Sequence, residues 1–146
     1  MNQLVVNNRS VLTDFQSSDK DALVKHLNDP EIYDRTIGIP YPCTEGDAET
    51  ALANLAKINT EQSHRLHWAV RTTDGALIGD CGFNGMTVGF SHKAEINYWL
   101  ARPFWGQGIM TDVIRRLCRY GSDELSLVRI FAHVFLHNPA SAKVLI

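Results

Sequence analysis

Gly106 and Gly108 stand one residue apart where an apolar strand pattern gives way to a helical one. The first amides of a helix have no partner inside it, and the macrodipole adds partial positive charge at that end. Glycine lets the backbone come close to a ligand with no side chain in the way. This suits a phosphate or diphosphate held largely by main-chain N–H groups. Two common phosphate binders do not fit. A P-loop carries Gly-Lys-Ser/Thr, whereas Ile109-Met110-Thr111 follows Gly108 without a lysine. A dinucleotide-binding turn needs a third glycine where Thr111 stands, and an early βαβ unit. A nucleotide-phosphate hydrolase would also need metal-binding carboxylates, which the turn does not offer. Two glycines alone favour the plainer reading, a helix entry where they merely relieve sterics, so the wider segment has to decide.

Other chemistry-bearing residues are less suggestive. His64, His67 and Cys81 resemble a metal set at first sight. They lack a third spaced histidine or a second cysteine pair, so no metal is expected. His133 and His137 suit packing or surface roles better. The aromatic group Trp68, Phe83, Tyr98, Trp99 and Trp105 is expected to be mostly core.

A strand must lead into the glycine turn and a helix must leave it. Residues 94–101 read as that strand, with Glu95 a polar residue beside Ile96, Tyr98 and Leu100. The helix is expected to run to about Tyr120, with Val113, Ile114, Leu117 and Cys118 as its apolar stripe. Upstream, 10–15 reads as a short strand. Ser17 or Ser18 caps a helix through roughly Asn28, which Asp29-Pro30 ends. Residues 37–43 are a loop, and Thr44 with Asp47 forms a capping pair for a second helix marked by Ala48, Leu52, Leu55, Ala56 and Ile58. The runs 66–72 and 76–83, joined by Thr73-Asp74-Gly75, make a hairpin, followed by a glycine-bearing loop over 84–93. Residues 127–136 are a further strand, and Asn138-Pro139 opens a last helix. Strands that can pair as a meander among helices make the class α+β (mixed α/β) rather than regular βαβ.

The chain has 146 residues, enough for one domain over 1–146 with a substantial core. Fourteen Lys plus Arg against sixteen Asp plus Glu, with no like-charge run, signal neither a nucleic-acid arm nor a membrane patch. Arg115, Arg116 and Arg119 read as a solvated helix face. The N-terminus lacks the apolar core of a signal peptide, and no stretch is long enough to span a bilayer. Three widely spaced cysteines, Cys43, Cys81 and Cys118, without a C-x-x-C pair, fit reduced thiols in a cytoplasmic protein.

The segment from Trp99 to Thr111 resembles the GNAT N-acyltransferase superfamily, most closely its RimJ/RimL type, the branch acetylating ribosomal-protein N-termini. The signature Gln/Arg-x-x-Gly-x-Gly/Ala falls on Trp105-Gly106-Gln107-Gly108-Ile109-Met110. Trp105 departs from the general first position, and Met110 replaces the small final residue, slightly crowding the loop. Ala94-Glu95-Ile96-Asn97-Tyr98-Trp99-Leu100 before it, Thr111-Asp112 after it, and Asn138-Pro139-Ala140-Ser141-Ala142 further on are similar to the same branch.

The resemblance implies a GNAT-like fold, with a mostly antiparallel sheet whose fourth and fifth strands splay apart. It implies an enzyme that passes the acetyl group of acetyl-CoA to a primary amine by direct attack in a ternary complex. The backbone of Tyr98 and Leu100 would pair with the pantetheine arm, and the amides of Trp105, Gly106, Gln107, Gly108, Ile109, Met110 and Thr111 would hold the diphosphate. Asn138 would contact the cofactor. Glu95 would be the general base, through a water, with a solvent-facing strand glutamate as the plain alternative. The Leu100 amide would donate to the thioester carbonyl. Ser141 would stand near the sulfur, since no tyrosine follows Tyr120 to act as the acid. Tyr33, Tyr41 and the loop over 84–93 would border the acceptor, which is a protein N-terminus by branch resemblance, with polyamines, amino acids and aminoglycosides also open. Relatives are expected to continue past Ile146 with Glu-Lys-x-Gly-Phe and two strands. Without them an open side on the fifth strand would favour association, for instance as a homodimer. Their absence also motivates a rival reading, a non-catalytic CoA-binding or interaction module.

Overall fold

In the computed structural model, which describes residues 3–33, 41–61 and 64–132, six strands form one sheet in sequence order. They are β1 (Leu4–Val5), β2 (Ser10–Thr13), β3 (His67–Thr72), β4 (Leu77–Asn84), β5 (Lys93–Leu100) and β6 (Arg129–Phe131). The first five pair antiparallel, and β6 lies parallel to β5. This is the α+β class expected, with the fourth and fifth anticipated strands appearing as β5 and β6. The addition is β1. Asn7 makes its turn: Oδ1 accepts from Arg9 N at 2.8 Å and Ser10 N at 3.1 Å, the Asx geometry that lets a side chain stand in for a turn's backbone.

Four helices flank the sheet: α1 (Lys20–Leu27), α2 (Pro30–Tyr33), α3 (Glu45–Glu61) and α4 (Ile109–Glu124). The capping pair of α3 is reciprocal, with Thr44 N donating to Asp47 Oδ2 at 3.0 Å and Asp47 N to Thr44 Oγ1 at 3.1 Å. Ahead of α1, neither Ser17 nor Ser18 is the cap. Both belong to a short 3-10 turn, and Asp19 Oδ2 accepts from Gln16 N at 2.7 Å. Pro30 opens α2 as well as closing α1, using the position where a missing N–H costs least. Helix α4 outlasts its expected end because Gly121 does not stop it. A Cβ there would lie 2.8 Å from Phe83 Cζ, so the bare Cα lets the helix settle onto the sheet.

On the α4 side of the sheet, Val113 and Leu117 are fully buried against Leu12, Trp68, Val70, Phe83 and Ile96. Each such side chain stabilises the fold by about 1.5–3 kcal/mol. On the opposite face Leu23, Leu27, Ile32 and Ala48 cover Ala69, Leu77 and Trp99. The two faces thereby fix the rotation of β5, on which the site depends. Among the described residues no helix is long and apolar enough to cross a membrane. Cys43, Cys81 and Cys118 are free thiols. His133, His137, Asn138, Ser141 and the anticipated last helix lie outside the described residues, as do residues 34–40, which include part of the loop expected over 37–43.

Candidate active site

The two edges of β5 differ. Along one, six residues pair with β4, from Gly79↔Leu100 to Asn84↔Glu95. Along the other, pairing with β6 covers Lys93↔Arg129, Ala94↔Ile130 and Glu95↔Phe131 and goes no further among the described residues. Register fixes which backbone groups face that second edge. Ala101 N donates to Ile78 O at 2.8 Å, so odd-numbered residues of β5 direct their N–H and C=O toward β4. Ile96, Tyr98 and Leu100 direct theirs the other way, toward β6, the side of the candidate cleft. Tyr98 and Leu100 therefore sit at alternate positions of one strand edge, the spacing needed to pair an extended guest. The Leu100 carbonyl already accepts from Trp105 Nε1 at 2.6 Å, which leaves that residue's N–H as its cleft-facing donor.

At the open end of this edge the chain passes through a 3-10 turn at Arg102–Phe104 into the glycines. Gly106 and Gly108 have φ of 75° and 77°, the left-handed region where a side chain is strained, and a Cβ on either would meet nothing within 4 Å. Gly108 is the N-cap of α4 and makes no side-chain cap bond. The loop thus offers open space in front of orphan helix amides, which fits a diphosphate. Met110 does not crowd it. Its side chain is buried in the core with Ile109, and only its amide belongs to the turn. Trp105, expected in the core, is instead 36% exposed at the loop. Gln107 Nε2 folds back onto Pro103 O at 3.1 Å, and the Arg102 guanidinium forks onto the Asp29 carboxylate.

A polar strip lies on the sheet face away from α4. In its rows Asp80 stands opposite Trp99, Gly82 lies between His67 and Asn97, and Asn84 stands opposite Glu95. Glu95 is half-buried, at the last described β5–β6 pair, opposite Phe131. The imidazole of His67 lies over Gly82, where a Cβ would meet its Nδ1 at 2.4 Å. The residue is buried, and neither ring nitrogen has a hydrogen-bond partner at good geometry. Burial lowers its pKa, against an opposing pull from the Asn84 side chain, so the ring is neutral at physiological pH. Burial also lifts the Asp80 carboxyl to about 7, against a hydrogen bond with the Trp99 side chain. Cys81 faces the α4 core instead, so it and His67 occupy opposite faces.

Sequence reasoning selected the turn and the strand but missed Asn7, Arg9 and Asp80. Arg9 meets the glycine turn across 98 residues of chain, and no local spacing signals such a contact. Asp80 is a lone carboxylate in an apolar strand run, which was a legible signal.

The GNAT acetyltransferase domain model matches residues 9–146. An uncharacterized N-acetyltransferase, p20, of Bacillus licheniformis is 33% identical over 138 residues, covering 94% of this chain and 76% of the relative. Two solved structures share the fold. The acetyltransferase from Salmonella typhimurium that modifies the N-terminal serine of ribosomal protein L7/L12 has a TM-score of 0.81 at 18% identity, over 98% of this chain and 81% of that one. Spermidine N-acetyltransferase from Vibrio cholerae, solved with CoA and spermine, has a TM-score of 0.75 at 21% identity, over 95% of this chain and 79% of that one. The chain belongs to the GNAT family and is an acetyl-CoA-dependent acetyltransferase.

Proposed function

We propose that the protein transfers the acetyl group of acetyl-CoA to the terminal amine of a protein or peptide, by direct attack within a ternary complex. The observation that carries this reading is the edge of β5, whose Tyr98 and Leu100 groups face the cleft and lead to the glycine turn. Tyr98 and Leu100 pair with the pantetheine arm, and the amides from Trp105 to Thr111 receive the diphosphate. This places the thioester toward the closed end of the cleft, beside Glu95. Glu95 accepts the ammonium proton, through a water, which frees the lone pair for attack. Asn138 is assigned to the cofactor and Ser141 to the departing sulfur by the family pattern alone.

The Salmonella neighbour acts on a ribosomal protein's N-terminus, and this supports a peptide amine over a polyamine. So does the strip on the acceptor face. Asn84 and Asn97 offer hydrogen bonds suited to a peptide backbone, with Glu95 as the strip's carboxylate near the amine. A polyamine would call for several.

Thiol release from acetyl-CoA tests the reading, with N-terminal peptides and spermidine as acceptors. Wild-type protein should release thiol with peptides, and Glu95→Gln should lower kcat by about 10²–10⁴-fold. CoA binding with no release from any amine, unchanged by Glu95→Gln, would favour the non-catalytic module.

A further inference from the structure

The β1–β2 hairpin reaches across the molecule to the glycine turn. Arg9 Nη1 donates to Gln107 O at 3.1 Å, and its Nη2 lies 3.3 Å from Asp112 Oδ2. Asn7 Nδ2 donates to the same Asp112 oxygen at 2.9 Å, while Asn7 Oδ1 holds the backbone of Arg9 and Ser10. Each contact bears on a phosphate site. In a planar trans peptide the C=O and the next N–H point in opposite directions. By holding the Gln107 carbonyl, Arg9 turns the Gly108 N–H to the other side of the loop, away from the hairpin. Asp112 stands in the first turn of α4, where its carboxylate would repel an anion at the helix start. Arg9 and Asn7 draw that carboxylate back toward the hairpin, and Arg115 meets its other oxygen at 4.0 Å.

We infer that Asn7 and Arg9 are positioning residues for coenzyme recognition: they set the Gln107–Gly108 peptide and screen Asp112, so that the turn accepts a diphosphate. This rests on the cofactor reading above. Arg9 acts through the loop rather than by touching the ligand. Removing it should therefore weaken any ligand that carries the diphosphate, and spare the pantetheine arm bound along β5. Lysine at position 9 keeps the charge but lacks the fork that spans Gln107 O and Asp112 together.

Three ligands separate the alternatives on the full chain. CoA and dephospho-CoA are titrated by calorimetry. Pantetheine, which has the arm and no phosphate, is titrated by following β5 amides in ¹⁵N spectra. Arg9→Ala should weaken CoA and dephospho-CoA equally, by about tenfold, the size of one lost charge-assisted hydrogen bond. Pantetheine affinity should not change, and the Gly108 amide resonance should shift in the free protein. Should Arg9→Ala fail to fold, Arg9→Lys carries the same test with a smaller loss. A loss confined to CoA would mean a direct contact with its 3′-phosphate, and would overturn the inference. Equal losses on all three ligands, or no loss, would overturn it as well. If wild-type protein binds none of the three, the cofactor reading itself fails, an outcome distinct from each of these.

Discussion

Two polar groupings lie on the same face of the sheet and are treated in opposite ways. At the corner where β2, β3 and α1 meet, Arg71 and Asp19 are both buried and fully answered. The guanidinium gives Nη1 and Nη2 to the two Asp19 oxygens at 2.8 and 2.6 Å, Nε to Thr13 Oγ1 at 2.7 Å, and a further bond to Asp14 O at 3.0 Å. Along the strip, His67 is as deeply buried with neither nitrogen answered, and Asp80 is held near neutrality by burial. Buried polar groups cost the fold unless they are satisfied. The corner satisfies its groups internally and serves the fold. The strip leaves His67 under-answered, and on the reading proposed above it borders the acceptor.

The largest test removes one half of the brace. Arg71→Met leaves Asp19 as a buried carboxylate with no cation, and should cost about 3–5 kcal/mol of stability in denaturant titrations. Adding Asp19→Asn should recover part of that loss. A cost within the range of surface substitutions would erase the distinction between corner and strip.

How far this contrast could be read from the sequence follows the range of the interactions. The turn at Gly106 and Gly108, the capping pair Thr44–Asp47 and the hairpin at Gly75 are local patterns, and they were legible. The helix runs on past its expected end near Tyr120, where Gly121 meets Phe83 from β4, a contact no local pattern announces. Ser17 and Ser18 looked like caps, yet Asp19 takes the cap bond while its carboxylate is oriented by Arg71, 52 residues on. Within the site, Tyr98 and Leu100 follow from the family resemblance, and only the register of β5 shows that their backbone groups face away from β4. Arg9 required knowledge of which loop touches which, and His67 could be assigned to a face only once its register with Gly82 was known.

The next test is pH. Asp80 has a folded pKa of about 7 against an ordinary value of 3.8. Between those values the folded chain holds a proton that the unfolded chain has released. Stability is therefore full below pH 3.8 and declines as pH rises toward 7. Asp80→Asn removes that decline. Its gain over wild type should be near zero at pH 3.5, grow through pH 4–7 and level off above 7, reaching several degrees of Tm. Thermal melts at pH 3.5, 5.5 and 8 check this, and a gain of equal size at all three would mean that the carboxyl is not held neutral by the fold.

The smallest expected change in stability is at His67, and there function and fold should separate. Leucine fills much of the same space over Gly82 and takes away two buried nitrogens that have no partners. His67→Leu should leave stability within about 1 kcal/mol of wild type, or raise it slightly, since no made hydrogen bond is lost. On the proposed reading its effect should fall on the acceptor: KM for a peptide amine rises while CoA affinity stays constant, because the coenzyme is assigned to the β5 edge and the strip faces away from α4. Asn97→Ala should act in the same direction, being in the same row across Gly82. If His67→Leu instead lowers Tm by several degrees and leaves KM untouched, the imidazole is a packing element like Trp68, and the strip shrinks to Glu95 and its neighbours.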